Sequence, residues 1–180
     1  EISLGLVGSE MCIRDRYLEM IRLKTAVLLA ASLKIGARLG GASVEDADRL
    51  YDFGMHIGVA FQLKDDLLDV YGNAKVFGKN IGGDILCNKK TYMLIKALEH
   101  ANADQHNQLN SWINAETFQP AEKIAAVTEL YDRIGVKAVC ENKILEYSNR
   151  AMESLAAVSI AEEKKEELKK IIENLIHREV

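Results

Sequence analysis

This 180-residue chain has one proline against 12 glycines, which is not the composition of a disordered tail. It has three cysteines, Cys12, Cys87 and Cys140. They form no CxxC pair and lie too far apart for a zinc site, and an odd count disfavours a disulfide framework. A reducing cytosol fits that usage. Excess charge of either sign is also lacking: 23 Lys plus Arg against 27 Asp plus Glu give a net charge of -4. That leaves no electrostatic footprint for nucleic acid or an anionic membrane. The longest apolar run, Ala26 to Leu33, is broken by Ser32 and ends at Lys34, far short of the ~20 residues that span a bilayer. No membrane span is expected. The first residues have no basic n-region of a secretory signal, so the expected location is the cytoplasm. What is present, 48% hydrophobic and 28% charged residues, suffices for one core: a single soluble domain or a piece of one.

Residues Glu1 to Arg16 show neither helical nor strand periodicity and resemble translated adaptor sequence. A non-native leader over 1–16 is expected, with the domain beginning at Tyr17. From Tyr17 to about Leu39, Leu18, Ile21, Thr25, Leu28, Leu29, Ser32 and Ile35 form an amphipathic stripe that Gly40 and Gly41 stop. Ser43 with Asp46 three residues on is a capping-box signal for a long helix to about Val70. Its expected buried positions are Leu50, Phe53, Ile57, Phe61 and Leu68, and Gly54 and Gly58 would admit a second helix backbone. Gly72 to Asp84 is a loop by its glycines. Helical spacing resumes over Asn88–His100, and a short surface helix is expected around Leu109 and Trp112. A further helix runs from Pro120 to Gly135 and another from Val136 to about Leu155; Ser159 with Glu162 offers a second capping box for Ala161 to about His177. No strand-like alternation persists, so the class is all-α.

The residues that carry chemistry lie inside the long helix, in Phe61-Gln62-Leu63-Lys64-Asp65-Asp66-Leu67-Leu68-Asp69. Spacings of three and four place Asp65, Asp66 and Asp69 on one face, with Gln62 a turn earlier. Like charges there repel, and the residues three and four beyond Lys64 are leucines, so no helical pair relieves them. Clustered carboxylates are hard oxygen ligands, and Mg²⁺ commonly takes one or two of them plus waters and phosphate oxygens. The plain alternative is a solvated acidic turn. Downstream, Gly78-Lys79-Asn80-Ile81-Gly82-Gly83-Asp84 precedes Lys89, Lys90 and Thr91. This is not a P-loop, but glycines permit close approach and a lysine suits a phosphate; an ordinary surface loop is the alternative. Lys24-Thr25 sits in an apolar run, where a lysine must snorkel or find a partner. The four histidines have no mutual metal spacing.

In this order and spacing, Lys24-Thr25-Ala26, Phe61-Gln62 with Asp65-Asp66-x-x-Asp69, Gly78-Lys79, and Asp84-Ile85 with Lys89 resemble the C-terminal half of the trans-isoprenyl diphosphate synthases, the polyprenyl synthetase family. The resemblance covers about Tyr17 to Val180. It implies an isoprenoid-synthase-type helical bundle whose N-terminal half is missing from this sequence. It further implies a Mg²⁺-dependent prenyltransferase joining isopentenyl diphosphate to an allylic prenyl diphosphate. Asp65, supported by Asp66 and Asp69, would bind Mg²⁺; Lys24, Lys79 and Lys89 would hold the allylic diphosphate. Thr25 and Gln62 would line the place where the allylic cation forms, beside Phe61. The family's first aspartate-rich motif is absent, so the chain alone is expected to be inactive, with apolar inner faces exposed, and a homodimer is expected of the full-length parent. A terpene cyclase of the same fold and a non-catalytic helical subunit are the competing readings; the intact Asp65-Asp66-x-x-Asp69 argues against both.

Overall fold

A computed structural model describes residues 10–73 and 81–177. The helices, in order, are α1 (Glu10–Ile21), a π segment (Arg22–Ala26), α2 (Val27–Leu39), α3 (Val44–Tyr71), α4 (Gly83–Leu86) and α5 (Tyr92–His100), followed by α6 (Ala103–Ile113), α7 (Pro120–Ile134), α8 (Val136–Ala156), a 3₁₀ turn (Glu162–Lys164) and α9 (Glu166–His177). Among the described residues there is no strand, as an all-α class requires, and no helix is long and apolar enough to cross a membrane.

The helix ends show which local signals prevail. At the start of α3, Asp46 N–H donates to Ser43 Oγ at 3.0 Å, half of the expected capping box. The other half does not form, because the Asp46 carboxylate accepts from Ser159 N–H at 2.9 Å and from Arg49 at 3.0 Å. Ser159 is thereby diverted from the second expected capping box: the 3₁₀ turn starts from Ala161 without a side-chain cap, and α9 begins only at Glu166. Pro120 opens α7, and Gly135 closes it at φ +82°, a left-handed conformation that costs glycine little. A complete capping box joins Asn102 and Gln105 at the start of α6. The helix expected from Asn88 starts instead at Tyr92, capped by Thr91.

The chain divides into two compact units, one built from 1–19 and 66–140 and the other from 20–65 and 141–180. In the second, small residues set the packing. A Cβ on Gly54 would lie 2.6 Å from Ala30 Cα, and one on Gly58 2.6 Å from Ala26 Cα, so helix backbones meet where the two glycines permit it. This contact overturns the expected stripe of the Tyr17–Leu39 segment. The buried residues are Tyr17, Ile21, Ala26 and Ala30, while Leu28 (73% exposed), Ile35 and Leu39 face solvent. The five-residue step from Ile21 to Ala26 matches the wide π turn, which displaces the face that a regular helix would bury. Phe53, Ile57 and Leu68 are buried as expected, but Leu50 is half-buried and Phe61 exposed. In the first unit the core is conventional: Leu67, Leu68, Met93, Leu109 and Leu130 are buried.

Candidate functional site

The last turns of α3 place Asp66 and Asp69 in the first unit. Asp66 is buried, and a carboxylate withdrawn from water needs partners. It has two: the Tyr17 hydroxyl donates to Oδ2, and Lys89 Nζ lies 3.5 Å from Oδ1. Burial still prevails, pushing the Asp66 carboxyl up to about 6 against the Tyr17 hydrogen bond and the Lys89 charge. Burial, then the neighbouring Asp66 charge, raises the Tyr17 hydroxyl far above the usual phenol range, so it remains a neutral donor. Asp69 is half-buried. Its Oδ2 accepts from Asp84 N–H at 2.9 Å, and burial raises its carboxyl against the amide donors of Asp84 and Gly83. Lys89 Nζ donates to Asp84 Oδ2 at 2.8 Å. Partial burial acts to lower the lysine, but Asp84 and Asp66 prevail and hold it above its ordinary value. Two carboxylates, Asp66 and Asp84, thus share one ammonium, with Asp69 held beside them on the Asp84 amide, and negative charge is in excess.

Of the residues predicted from sequence, the first unit therefore brings together Asp66, Asp69 and Lys89. Lys24, Thr25, Phe61, Gln62 and Asp65 belong to the second unit. There, Lys24 is exposed and Thr25 half-buried within the π segment, a helix irregularity often found at functional positions. Phe61 lines an apolar cleft of about 350 Å³ with Leu29, Ile57, Ile171 and Leu175; Gln62 and Asp65 are half-buried. Lys79 lies outside the described residues. Tyr17 and Asp84 join this group without a site role expected from the sequence. Asp84 left a signal, a carboxylate five residues before Lys89 that a tight turn can bring back onto it; Tyr17 left none beyond its helical position.

Among the described residues, no three Asp, Glu, His or Cys side chains are grouped so as to hold a metal ion. Asp66 is engaged by Tyr17 and Lys89 and Asp69 by a backbone amide, so the expected aspartate trio does not form a closed cage. The donor chemistry nonetheless fits Mg²⁺, which prefers hard oxygens and keeps several waters while taking only one or two carboxylates. The raised Asp66 and Asp69 carboxyls are those that a nearby cation would relieve.

The family model described as polyprenyl synthetase matches residues 8–131. The short chain isoprenyl diphosphate synthase of Methanothermobacter thermautotrophicus is 34% identical over 165 residues, covering 92% of this chain and 50% of its own length. The (2E,6E)-farnesyl diphosphate synthase of Mycobacterium bovis is 30% identical over 168 residues, covering 92% and 46%. A crystal structure of a geranylgeranyl pyrophosphate synthase superposes with a TM-score of 0.83 at 32% identity, over 95% of this chain and 58% of that one. The Corynebacterium glutamicum geranylgeranyl pyrophosphate synthase, crystallised with isoprenyl diphosphate and magnesium, gives 0.80 at 30% identity over 94% and 47%. The chain spans about half the length of the curated relatives it matches.

Proposed function

From the premise that this chain belongs to the polyprenyl synthetase family, we propose that it carries the C-terminal, diphosphate-holding part of a trans-prenyltransferase. The enzyme condenses isopentenyl diphosphate with an allylic diphosphate into a linear prenyl diphosphate. Asp65, supported by Asp66 and Asp69, would hold Mg²⁺, which when bound would supply Lewis-acid charge toward the leaving diphosphate. Lys24, Lys79 and Lys89 grip that diphosphate, their ammonium groups countering the charge that grows as the carbon–oxygen bond breaks. Loss of diphosphate leaves an allylic cation; Thr25 and Gln62 line its position with polar oxygen, and Phe61 offers apolar surface to the prenyl chain. The double bond of isopentenyl diphosphate attacks the cation, and the departed diphosphate accepts the final proton.

The observation that carries this reading is the Asp66–Lys89–Asp84 group, with Asp69 beside it on the Asp84 amide. An ammonium and surplus carboxylates held together in one unit match the two halves of a metal-bridged anion. The DDxxD pattern occurs once in the sequence, whereas the resemblance calls for a pair, so the 180-residue chain alone should bind diphosphate without condensing substrates. A coupled assay for pyrophosphate release from allylic and isopentenyl diphosphates tests this: background rates are expected, and turnover by the chain alone contradicts the inactivity. A homodimer of the complete enzyme and residence in the cytoplasm belong to the same reading.

A further inference from the structure

Asn88 is the only non-glycine among the described residues with a positive φ, +50°. It sits where α4 ends. Lys89 N–H donates to Asp84 C=O at 2.9 Å and Asn88 N–H to Ile85 C=O at 3.2 Å, the paired bonds of a Schellman motif with Asn88 in the left-handed position that glycine usually takes. An L-residue there carries a steric penalty that glycine avoids, so its side chain calls for a reason. Asn88 Nδ2 donates to Ile113 C=O at 2.9 Å, and Oδ1 accepts from Lys123 Nζ at 2.8 Å.

Lys123 is itself unusual. It is 1% exposed, it forms no ion pair with a carboxylate among the described residues, and its ammonium lies 4.2 Å over the Phe118 ring. Burial pushes it below the usual lysine range. Burying a lysine is costly, and here its directed hydrogen bond goes to the residue immediately before Lys89. Asp84, Asn88, Lys89 and Lys123 line one small cavity of about 20 Å³, so turn and clamp share a single packed environment.

We infer that the Lys123–Asn88 pair is a positioning device for Lys89: the buried ammonium on α7 fixes the Asn88 side chain, Asn88 fixes the left-handed turn, and the turn delivers Lys89 to a diphosphate. Neither residue touches the anion, and the inference rests on the function proposed above. Its test is calorimetric titration of the 180-residue chain with inorganic pyrophosphate in Mg²⁺, using Lys89→Ala, Asn88→Gly, Lys123→Met and the double variant Lys89→Ala/Asn88→Gly. Asn88→Gly keeps the turn conformation, removes the clamp and leaves the buried Lys123 ammonium and the Ile113 carbonyl without their side-chain partner. It should melt several degrees below the parent and, titrated well below that melting temperature, bind pyrophosphate about fivefold more weakly, with no further loss when Lys89 is already alanine. Lys123→Met should follow the same pattern; if it fails to fold, Asn88→Gly decides. Parent-like binding by Asn88→Gly, or the same loss whether or not Lys89 is present, overturns the inference while leaving the proposed function standing. Parent-like binding by Lys89→Ala, or no binding by the parent, overturns both.

Discussion

The two units present their lysines by opposite means. Lys24 stands exposed on a π segment whose far side, at Ala26, presses directly on Gly58; the order there comes from backbone against backbone, and no turn residue is needed. Lys89 stands at the end of a four-residue helix and is directed by polar contacts to Asp66 and Asp84. The contrast teaches that the backbone carrying a lysine can be placed by steric fit, whereas the ammonium itself is placed by polar partners. The two routes should fail differently: steric fit fails with added volume and is indifferent to pH, whereas the polar route tolerates volume and responds to protonation.

The largest effect should come from adding a methyl to the steric route. Gly58→Ala places a Cβ 2.6 Å from Ala26 Cα and should cost ~3 kcal/mol by urea denaturation, at the upper end of overpacking penalties. Gly36→Ala, with nothing within 4 Å of the new atom, should stabilise the same region by ~1 kcal/mol through helix propensity. Equal outcomes would dissolve the steric half of the comparison.

Next in size is a pH effect in the polar unit. The Asp66 carboxyl is raised from 3.8 to about 6, so the folded chain holds an extra proton between those values and stability falls as pH rises through that window. Without metal, Asp66→Asn should therefore stabilise the chain at pH 8, by at most ~3 kcal/mol at 1.36 kcal/mol per unit, with the gain vanishing near pH 4. Denaturation curves at the two pH values check it, and Gly58→Ala should show no such dependence. Tyr17→Phe, which removes the donor to Asp66 Oδ2, should cost ~1 kcal/mol. The smallest effect belongs to Lys24→Ala: an exposed side chain whose loss should change stability by less than ~0.5 kcal/mol while weakening diphosphate capture.

The helix boundaries at Gly40–Gly41, Pro120 and Gly135 were legible in the sequence because these are local signals that nothing in the fold opposes, whereas α1 starts at Glu10, within a stretch that shows no apolar periodicity. The close approach at Gly54 and Gly58 was legible for the same reason. The π segment was not: the leucine stripe of 28–39 looks like a core face, and only the packing of Ala26 and Ala30 on glycines turns it outward. The Ser159 capping signal failed through competition, since Asp46, 113 residues away in sequence, takes the Ser159 amide. Within the first unit's group, Asp66 and Asp69 could be read from like-charge spacing, and Lys89 from its place in the motif order that carries the resemblance. Asp84 left only its spacing to Lys89, since its role depends on the tight turn, and Tyr17 left no signal, because a distant helix brings it to Asp66. Asn88 was read as a helix start, since spacing does not reveal a positive φ.

The most direct test of the central claim is calorimetric titration of the chain with pyrophosphate, with and without Mg²⁺, for the parent and for Asp65→Ala. Binding that requires Mg²⁺ and weakens at least about tenfold in the variant, a loss of ~1.4 kcal/mol, is the predicted result. Binding that ignores both the ion and the substitution would contradict the assignment of these aspartates to a metal-bridged diphosphate.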